Sequence, residues 1–410
     1  MKNFYDVIIA GGGASGIFCA IKIKMMKPSL SVAILEKQQR IGKKLLATGN
    51  GRCNLTNTEI NESLYHGSFK FAISELLEKY SPEIIINEFR EMGLLTTTDS
   101  TGRVYPLSKQ ASSVLDLLRM NLKKHNVDVL TECEVLYINK SKGSFTVKTN
   151  SETYSCRQLV ISTGSKATPA LGSDSKMLNI VRKSGHNSKA LSPALCPVSV
   201  SSPYLKSLKG IRANGTVRLI TENQVLKEES GEIQFTENAL SGICIFNLSG
   251  LANTRKNTEV SISLLPDLTQ DKIADTLIKK KNILPLNSAA EELFTGIFHK
   301  MIGIALLKEC KISPAASIEN VSIDAIKKLS CVINDWRFRV IPSDDFSKAQ
   351  VAAGGIFGKE IDMNTMESLL VKGLYFTGEI IDIYGDCGGL NLHFAFMSAS
   401  AAAKRICELC

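Results

Sequence analysis

The chain has 410 residues, 44% of them apolar, enough for two or three domains with cores of their own. No apolar run is long enough to span a bilayer and the start shows no signal-peptide pattern, so a cytoplasmic protein is expected. The net charge of +9 is dispersed in short runs and the 11 cysteines are odd in number and scattered, which argues against a nucleic-acid-binding stripe and against a disulfide framework.

Residues 5–10 (Tyr-Asp-Val-Ile-Ile-Ala) are a short β-branched run, as in a buried parallel strand. A glycine cluster follows, then a helical pattern to about Met26, and residues 31–36 form the next strand. This is a β-α-β unit. The stretch Gly42 to Asn57 reads as neither regular element. Helices are expected over 69–92 and 112–125, and strands over 127–138, 144–149 and 158–162, with a turn at Lys142-Gly143. Beyond Pro193 come short strands at 215–220, 224–229, 232–235 and 259–264, helices over 269–312, and a strand over 330–341. Residues 373–378 are a strand and 391–408 a helix of small residues. The simplest organisation is a discontinuous α/β domain (1–193 and 342–410), a β-rich insertion (194–268 and 313–341) and a small helical domain (269–312).

Gly11-Gly12-Gly13-Ala14-Ser15-Gly16 contains G-x-G-x-x-G between the first strand and the first helix. Gly11 permits the sharp turn, Gly13 lets a pyrophosphate approach the backbone, and Gly16 lets the helix pack on the strand. The helix N-terminus, from Ala14 and Ser15, offers N–H groups and a positive dipole end. Glu36, followed by Lys37, ends the second strand, where a carboxylate accepts hydrogen bonds from ribose hydroxyls. Lys44, Gly49, Asn50, Gly51, Arg52, Cys53 and Asn54 then alternate basic, amide and glycine residues. Such a loop can neutralise phosphate, expose backbone N–H groups and bond a flat heterocycle. Together these segments point to non-covalently bound FAD.

The segment Gly42 to Asn57 resembles the signature of the aminoacetone-oxidase-like FAD-binding flavoproteins, a family that also includes a flavin reductase of bile-acid dehydroxylation. Similar blocks recur at Thr101 to Pro106 leading to Gln110, at Leu159 to Gly164, at Ala349 to Gly355 and at Gly373 to Asn391. The resemblance spans nearly the whole chain; it departs at Ile243, where the family usually has proline. It implies a glutathione-reductase-type Rossmann-like FAD domain with an inserted β-rich domain and a small helical domain. Gln110, Thr163 and Gly164 fall in the family-like blocks, and Val135 is carried over from related FAD folds as an adenine contact.

In the C-terminal block, Gly378, Glu379 and Asp382 follow a strand end and are expected at the ribityl or pyrophosphate side. Gly388, Gly389, Asn391 and Leu392 open the last helix, whose N–H groups would face the flavin N1–C2=O edge. Arg103 and Tyr105 are candidates for binding an anionic substrate and donating a proton. No second nucleotide fingerprint follows residue 100, so NAD(P)H would bind only transiently. The dispersed histidines suggest no metal site. The expected activity is hydride transfer between a small organic substrate and flavin N5, as an amine oxidase or an NAD(P)H-dependent reductase. Two alternatives stand beside it: an RNA-associated flavoprotein with a basic insertion, and a redox sensor using Cys53 and Cys387.

Overall fold

The computed structural model describes residues 3–222 and 224–410, which divide into two compact units, one of residues up to 192 with 346–410 and one of 193–345. The first unit is built on a seven-stranded sheet. Strand β1 (Phe4–Ala10) leads through Gly11–Gly13 into helix α1 (Ala14–Met26) and strand β2 (Val32–Leu35). The sheet order is Asp128–Leu130, β2, β1, Thr153–Ile161, Ser144–Thr149, Val135–Ser141, with Leu374–Phe376 also pairing with Thr153–Ile161. Strand β2 runs parallel to Asp128–Leu130 and to β1, β1 runs parallel to Thr153–Ile161, and that strand runs parallel to Leu374–Phe376. The strands Val135–Ser141, Ser144–Thr149 and Thr153–Ile161 form an antiparallel meander. Val7, Ile8, Ile9, Ala33, Ile34, Val160 and Ile161 are buried, as the β-branched runs require of a sheet covered on both faces. The C-terminal helix, Leu390–Leu409, packs its small residues close to α1. Phe18 of α1 lies 4.9 Å from Phe396 and 5.2 Å from Phe89, a three-ring cluster in which each pair adds about 1 kcal/mol beyond its burial.

The second unit is a closed six-stranded barrel with helices on one apolar core. Val217, Val260, Trp336 and Phe338 of the barrel share that core with Ile273, Leu277, Leu306 and Ile326 of the helices.

Five local expectations change, the first being residues 127–138, which are not one strand but two, Asp128–Leu130 and the start of Val135–Ser141. Residues 69–92 are two helices, Ile73–Lys79 and Pro82–Glu91. Ser81 caps the second by accepting from the Ile84 amide, and Pro82 at its first position cannot continue the preceding one. The runs 224–229 and 232–235 are one strand, Gln224–Phe235. Residues 330–334 end a helix, Ile323–Asn334, and only Trp336–Val340 is strand. Buried Ile326, Leu329 and Ile333 carry its helical spacing. Helix Ile243–Thr254 lies in the stretch read as strands, because its apolar residues, interrupted by Asn247, Ser249 and Gly250, show no helical period to detect. In addition, Lys43–Ala47 within the loop after β2 is a short helix.

Candidate functional site

The glycine turn is dictated by packing. Gly11 has φ +107°, and a Cβ there would lie 2.5 Å from the Ser162 carbonyl oxygen. A Cβ on Gly16 would lie 2.1 Å from the Gly11 carbonyl oxygen. At Gly13 the nearest atom to such a Cβ is 3.9 Å away, so the side facing outward is open. Gly13 caps α1 without a side-chain bond, and no acidic residue occupies the first turn. The first N–H groups of α1 therefore keep their charge for an anion.

Glu36 is fixed by backbone. Its Oε2 accepts from the Gly12 amide and its Oε1 from the Gln38 amide, both at 2.8 Å. Each oxygen keeps a second lone pair for a ribose hydroxyl. The Glu36 carbonyl accepts from Cys133, two residues before Val135, so the strand beginning at Val135 starts beside the anchor. Lys37 is held away by an ion pair with Asp174 at 2.5 Å.

The loop from Gly49 is a run of left-handed residues: Gly49, Asn50, Gly51 and Cys53 have φ of 56°, 56°, 79° and 57°. The expectation that Gly49 and Gly51 free their amides is corrected at Gly51, whose amide bonds to Thr48, as does that of Cys53, while that of Arg52 bonds to Gly49. The loop is a self-closed turn that displays side chains. Ala111, next to exposed Gln110, donates its amide to the Gly51 carbonyl. The Arg52 guanidinium lies 4.9 Å from the Tyr105 ring centre. Tyr105 is buried, so its ring is a platform for Arg52 and does not stand open as a proton donor. Arg103 is half-buried and pairs in register with Asn57. Cys53 is buried, and burial pushes its thiol up to about 12, which disfavours the reactive thiolate.

Asn54 is buried and its Oδ1 has no partner. It lies against Gly389, where a Cβ would be 2.9 Å from that Oδ1 and 2.7 Å from the Thr56 carbonyl oxygen. Gly389 (φ +103°) caps the C-terminal helix without a side-chain bond, again with no acidic residue in the first turn. Asn57 Nδ2 donates to the Gly388 carbonyl at 3.3 Å. Thr56 Oγ1 is 2.9 Å from His393 Nδ1, and burial lowers that imidazole to about 4. Leu392 is half-buried in the first turn.

Three residues assigned to ligand contacts hold the chain together. Asp382 is buried, with Oδ1 accepting from Gly354 and Oδ2 from Ser68. Asn391 clamps Gly385, accepting from its amide at 2.9 Å and donating to its carbonyl at 2.8 Å. Glu379 pairs with Lys44 at 2.7 Å and also accepts from Ser165 and the Ala352 amide. It thereby ties the loop after β2 to the segment after Thr163-Gly164. Gly378 (φ +69°) leaves room for Ser15, whose Oγ would be 2.8 Å from a Cβ there.

The structure thus gathers Gly11–Gly16, Glu36, Lys44, Asn54, Thr163, Gly378 and Gly389 about two uncapped helix N-termini, that of α1 lying at the carboxyl end of the parallel strand β1, where open α/β sheets bind ligands. FAD fits this donor set. The buried Asn54 Oδ1 and Thr163 Oγ1 lack partners within the chain, and Gly164 has no atom within 4 Å of where a side chain would begin. No sequence signal pointed to Gly12, Ser165 and Asn57, whose parts are backbone or side-chain bonds to other site residues.

The charge excess is not in the insertion. Residues 193–345 carry 18 basic and 17 acidic side chains, leaving 31 and 23 for the rest. Among the described residues no group of three His, Cys, Asp or Glu side chains could hold a metal, and no helix is long and apolar enough to cross a membrane.

A family model described as the HI0933-like protein Rossmann domain matches residues 5–405. The chain is 34% identical to a 3-dehydro-bile acid delta(4,6)-reductase of Clostridium scindens, over 97% of this chain and 98% of that one. It is 28% identical to a ribosomal RNA dihydrouridine synthase of Escherichia coli, over 98% and 97%. Among solved structures, the 3-ketosteroid-delta4-(5alpha)-dehydrogenase of Rhodococcus jostii RHA1 superposes with a TM-score of 0.51 at 13% identity, over 98% of this chain and 97% of that chain.

Proposed function

The chain belongs to the HI0933-like Rossmann family and is an FAD-dependent oxidoreductase; from that premise we propose that it is a reductase that saturates a carbon–carbon double bond conjugated to a carbonyl. The observation that carries this reading is end-to-end identity of 34% with a 3-dehydro-bile acid delta(4,6)-reductase. A 3-dehydro group is a ketone, and double bonds at positions 4 and 6 are conjugated with it. The dihydrouridine synthase name describes the same bond type, since the uracil 5,6 bond is conjugated to a carbonyl.

When bound, FAD supplies reversible hydride transfer at its N5 atom. The chain's own residues do the holding. The first-turn amides of α1 and the open face of Gly13 take the pyrophosphate, and Glu36 takes the adenosine ribose. The first-turn amides of the C-terminal helix favour an electron-rich ligand edge, while Asn54 Oδ1 accepts a ligand N–H. Arg52, resting on Tyr105, and Arg103 supply positive charge for the substrate's polar end. The electron donor is a nicotinamide dinucleotide that visits the flavin without a domain of its own.

A second reading keeps the bond and changes its carrier to uridine in RNA, favoured by the 28% likeness and by the net charge. Its electrostatics would come from residues outside 193–345.

The test is product analysis after anaerobic incubation with NADH or NADPH and either a steroid 4-en-3-one or a uridine-containing RNA, and after aerobic incubation with a primary amine and no nicotinamide. Saturation of the enone is expected. Dehydrogenation of the amine with O₂ as acceptor, and no saturation of either unsaturated probe, would overturn the reductase reading. Dihydrouridine formation in RNA alone would select the second carrier.

A further inference from the structure

A cavity of about 170 Å³ lies in the first unit, beside the network that joins Lys44, Glu379 and Ser165. Lys166, the residue after Ser165, forms one wall with its ammonium 4.9 Å from the centre of the Phe346 ring. Arg182 and Lys189 form another, and Ser175 and Asn179 add a hydroxyl and an amide. Arg182 donates to Ser188 Oγ at 2.8 Å and to Asn179 Oδ1 at 3.3 Å, both neutral partners. No acidic residue lines the cavity, and among the described residues no ion pair engages any of its three cations. Their neighbours differ. Lys176, on the short helix Lys176–Arg182 that also carries Arg182, pairs with Glu134 at 2.6 Å, and Lys37 pairs with Asp174.

Three exposed cations lining one pocket without a carboxylate repel one another, and an anion relieves that repulsion. The polar complement, one guanidinium, two ammonium groups, a hydroxyl and an amide, suits a phosphate monoester. Such a group carries close to two charges and three acceptor oxygens. A pyrophosphate diester is served by helix amides, as at α1, and has less need of side-chain cations. A steroid carries no such group at all.

We propose that this cavity binds the 2′-phosphate of a phosphorylated dinucleotide donor, so that the electron source is NADPH in preference to NADH. This rests on the reductase reading above. It also gives a physical reason why no second glycine fingerprint is needed: the donor is anchored by its phosphate monoester and leaves after each turnover. In the balance, NADPH is oxidised to NADP⁺, and its hydride, with one proton from water, ends on the two carbons of the substrate's former double bond.

The test uses the purified FAD-loaded protein. Calorimetry with 2′-AMP and with adenosine reads the cavity directly, and anaerobic flavin bleaching by NADPH and by NADH reads the donor. Wild type is expected to bind 2′-AMP and not adenosine. Arg182→Glu and Lys189→Glu should each weaken 2′-AMP binding and raise the NADPH concentration for half-maximal bleaching by at least about tenfold, with NADH unchanged. Lys183→Glu, an exposed charge reversal outside the cavity, should change neither. Flavin content and Tm equal to wild type establish that the variants fold. Absence of 2′-AMP binding, equal effects on NADPH and NADH, equal effects of Lys183→Glu, or no bleaching by either donor would each overturn the proposal. Failure of the reductase reading shows separately, as dithionite-reduced protein that does not saturate the enone.

Discussion

At α1 the glycines are fixed by backbone meeting backbone, with Gly11 against the Ser162 carbonyl and Gly16 against the Gly11 carbonyl. At the C-terminal helix the cap Gly389 meets the Thr56 backbone too, but the loops around it are held by side chains: Asn391 on Gly385, Asp382 on Gly354 and Ser68, Glu379 between Lys44 and Ser165. The end at α1 is a turn whose close backbone contacts exclude side chains at Gly11 and Gly16. The end at the C-terminal helix is a lattice of polar side chains that satisfy one another and leave Asn54 Oδ1 over. The first kind of site writes itself into the sequence as glycines at fixed spacing. The second uses residue types that serve a ligand and a loop equally well.

The largest effect should come from Gly16→Ala. Its Cβ would sit 2.1 Å from backbone that is itself packed on β1, so α1 must shift, at a cost of about 3 kcal/mol or more and with loss of bound flavin. Flavin-to-protein absorbance ratio and Tm check this. Retention of full flavin would break the comparison on the nucleotide side.

Next is acid. His393 is neutral in the folded state, with a value of about 4 against about 6.5 in the unfolded chain. A depressed histidine contributes full stability above about pH 6.5 and loses it as the pH falls toward 4, because the unfolded state binds the proton first. The loss is roughly 3 kcal/mol over that window. Denaturant unfolding of wild type and His393→Gln at about pH 7.5 and about pH 4.5 measures it; the variant should show a smaller loss. Equal losses would mean that the Thr56–His393 contact does not set the acid response.

Asp382→Ala should cost about 2 kcal/mol, since two backbone N–H groups lose their acceptor in a buried place. The comparison sharpens if the Tm falls while the affinity of the apoprotein for FAD does not. A large loss of affinity with unchanged Tm would return Asp382 to the ligand.

The smallest effect is Lys44→Ala, about 1 kcal/mol or less in stability, because the Lys44–Glu379 pair is partly exposed and Glu379 keeps two other donors. Urea unfolding reads it.

The β-α-β unit, the glycine spacing and Glu36 depend on chain geometry alone, so their sequence pattern was sufficient, and the Rossmann-like α/β fold followed. The structure then placed Glu36 against the Gly12 amide, a bond no pattern marks. Tyr105, Asp382 and Asn391 were read as ligand-facing because their residue types allow it, yet their partners include Arg52, Gly354 and Gly385, which no spacing connects to them. Helix Ile243–Thr254 carries no helical period, because Asn247, Ser249 and Gly250 are buried along with its apolar residues. The basic cavity at Lys166, Arg182 and Lys189 was invisible because folding, not spacing, collects its charges.

The most direct test of enone reduction is an anaerobic half-reaction experiment on the purified holoprotein. NADPH is added until the flavin absorbance near about 450 nm is bleached, and a steroid 4-en-3-one is then mixed in without oxygen. The flavin band is predicted to return with one equivalent of saturated ketone per flavin. A band that stays bleached with the enone and returns only on admitting air would contradict a reductase of conjugated double bonds.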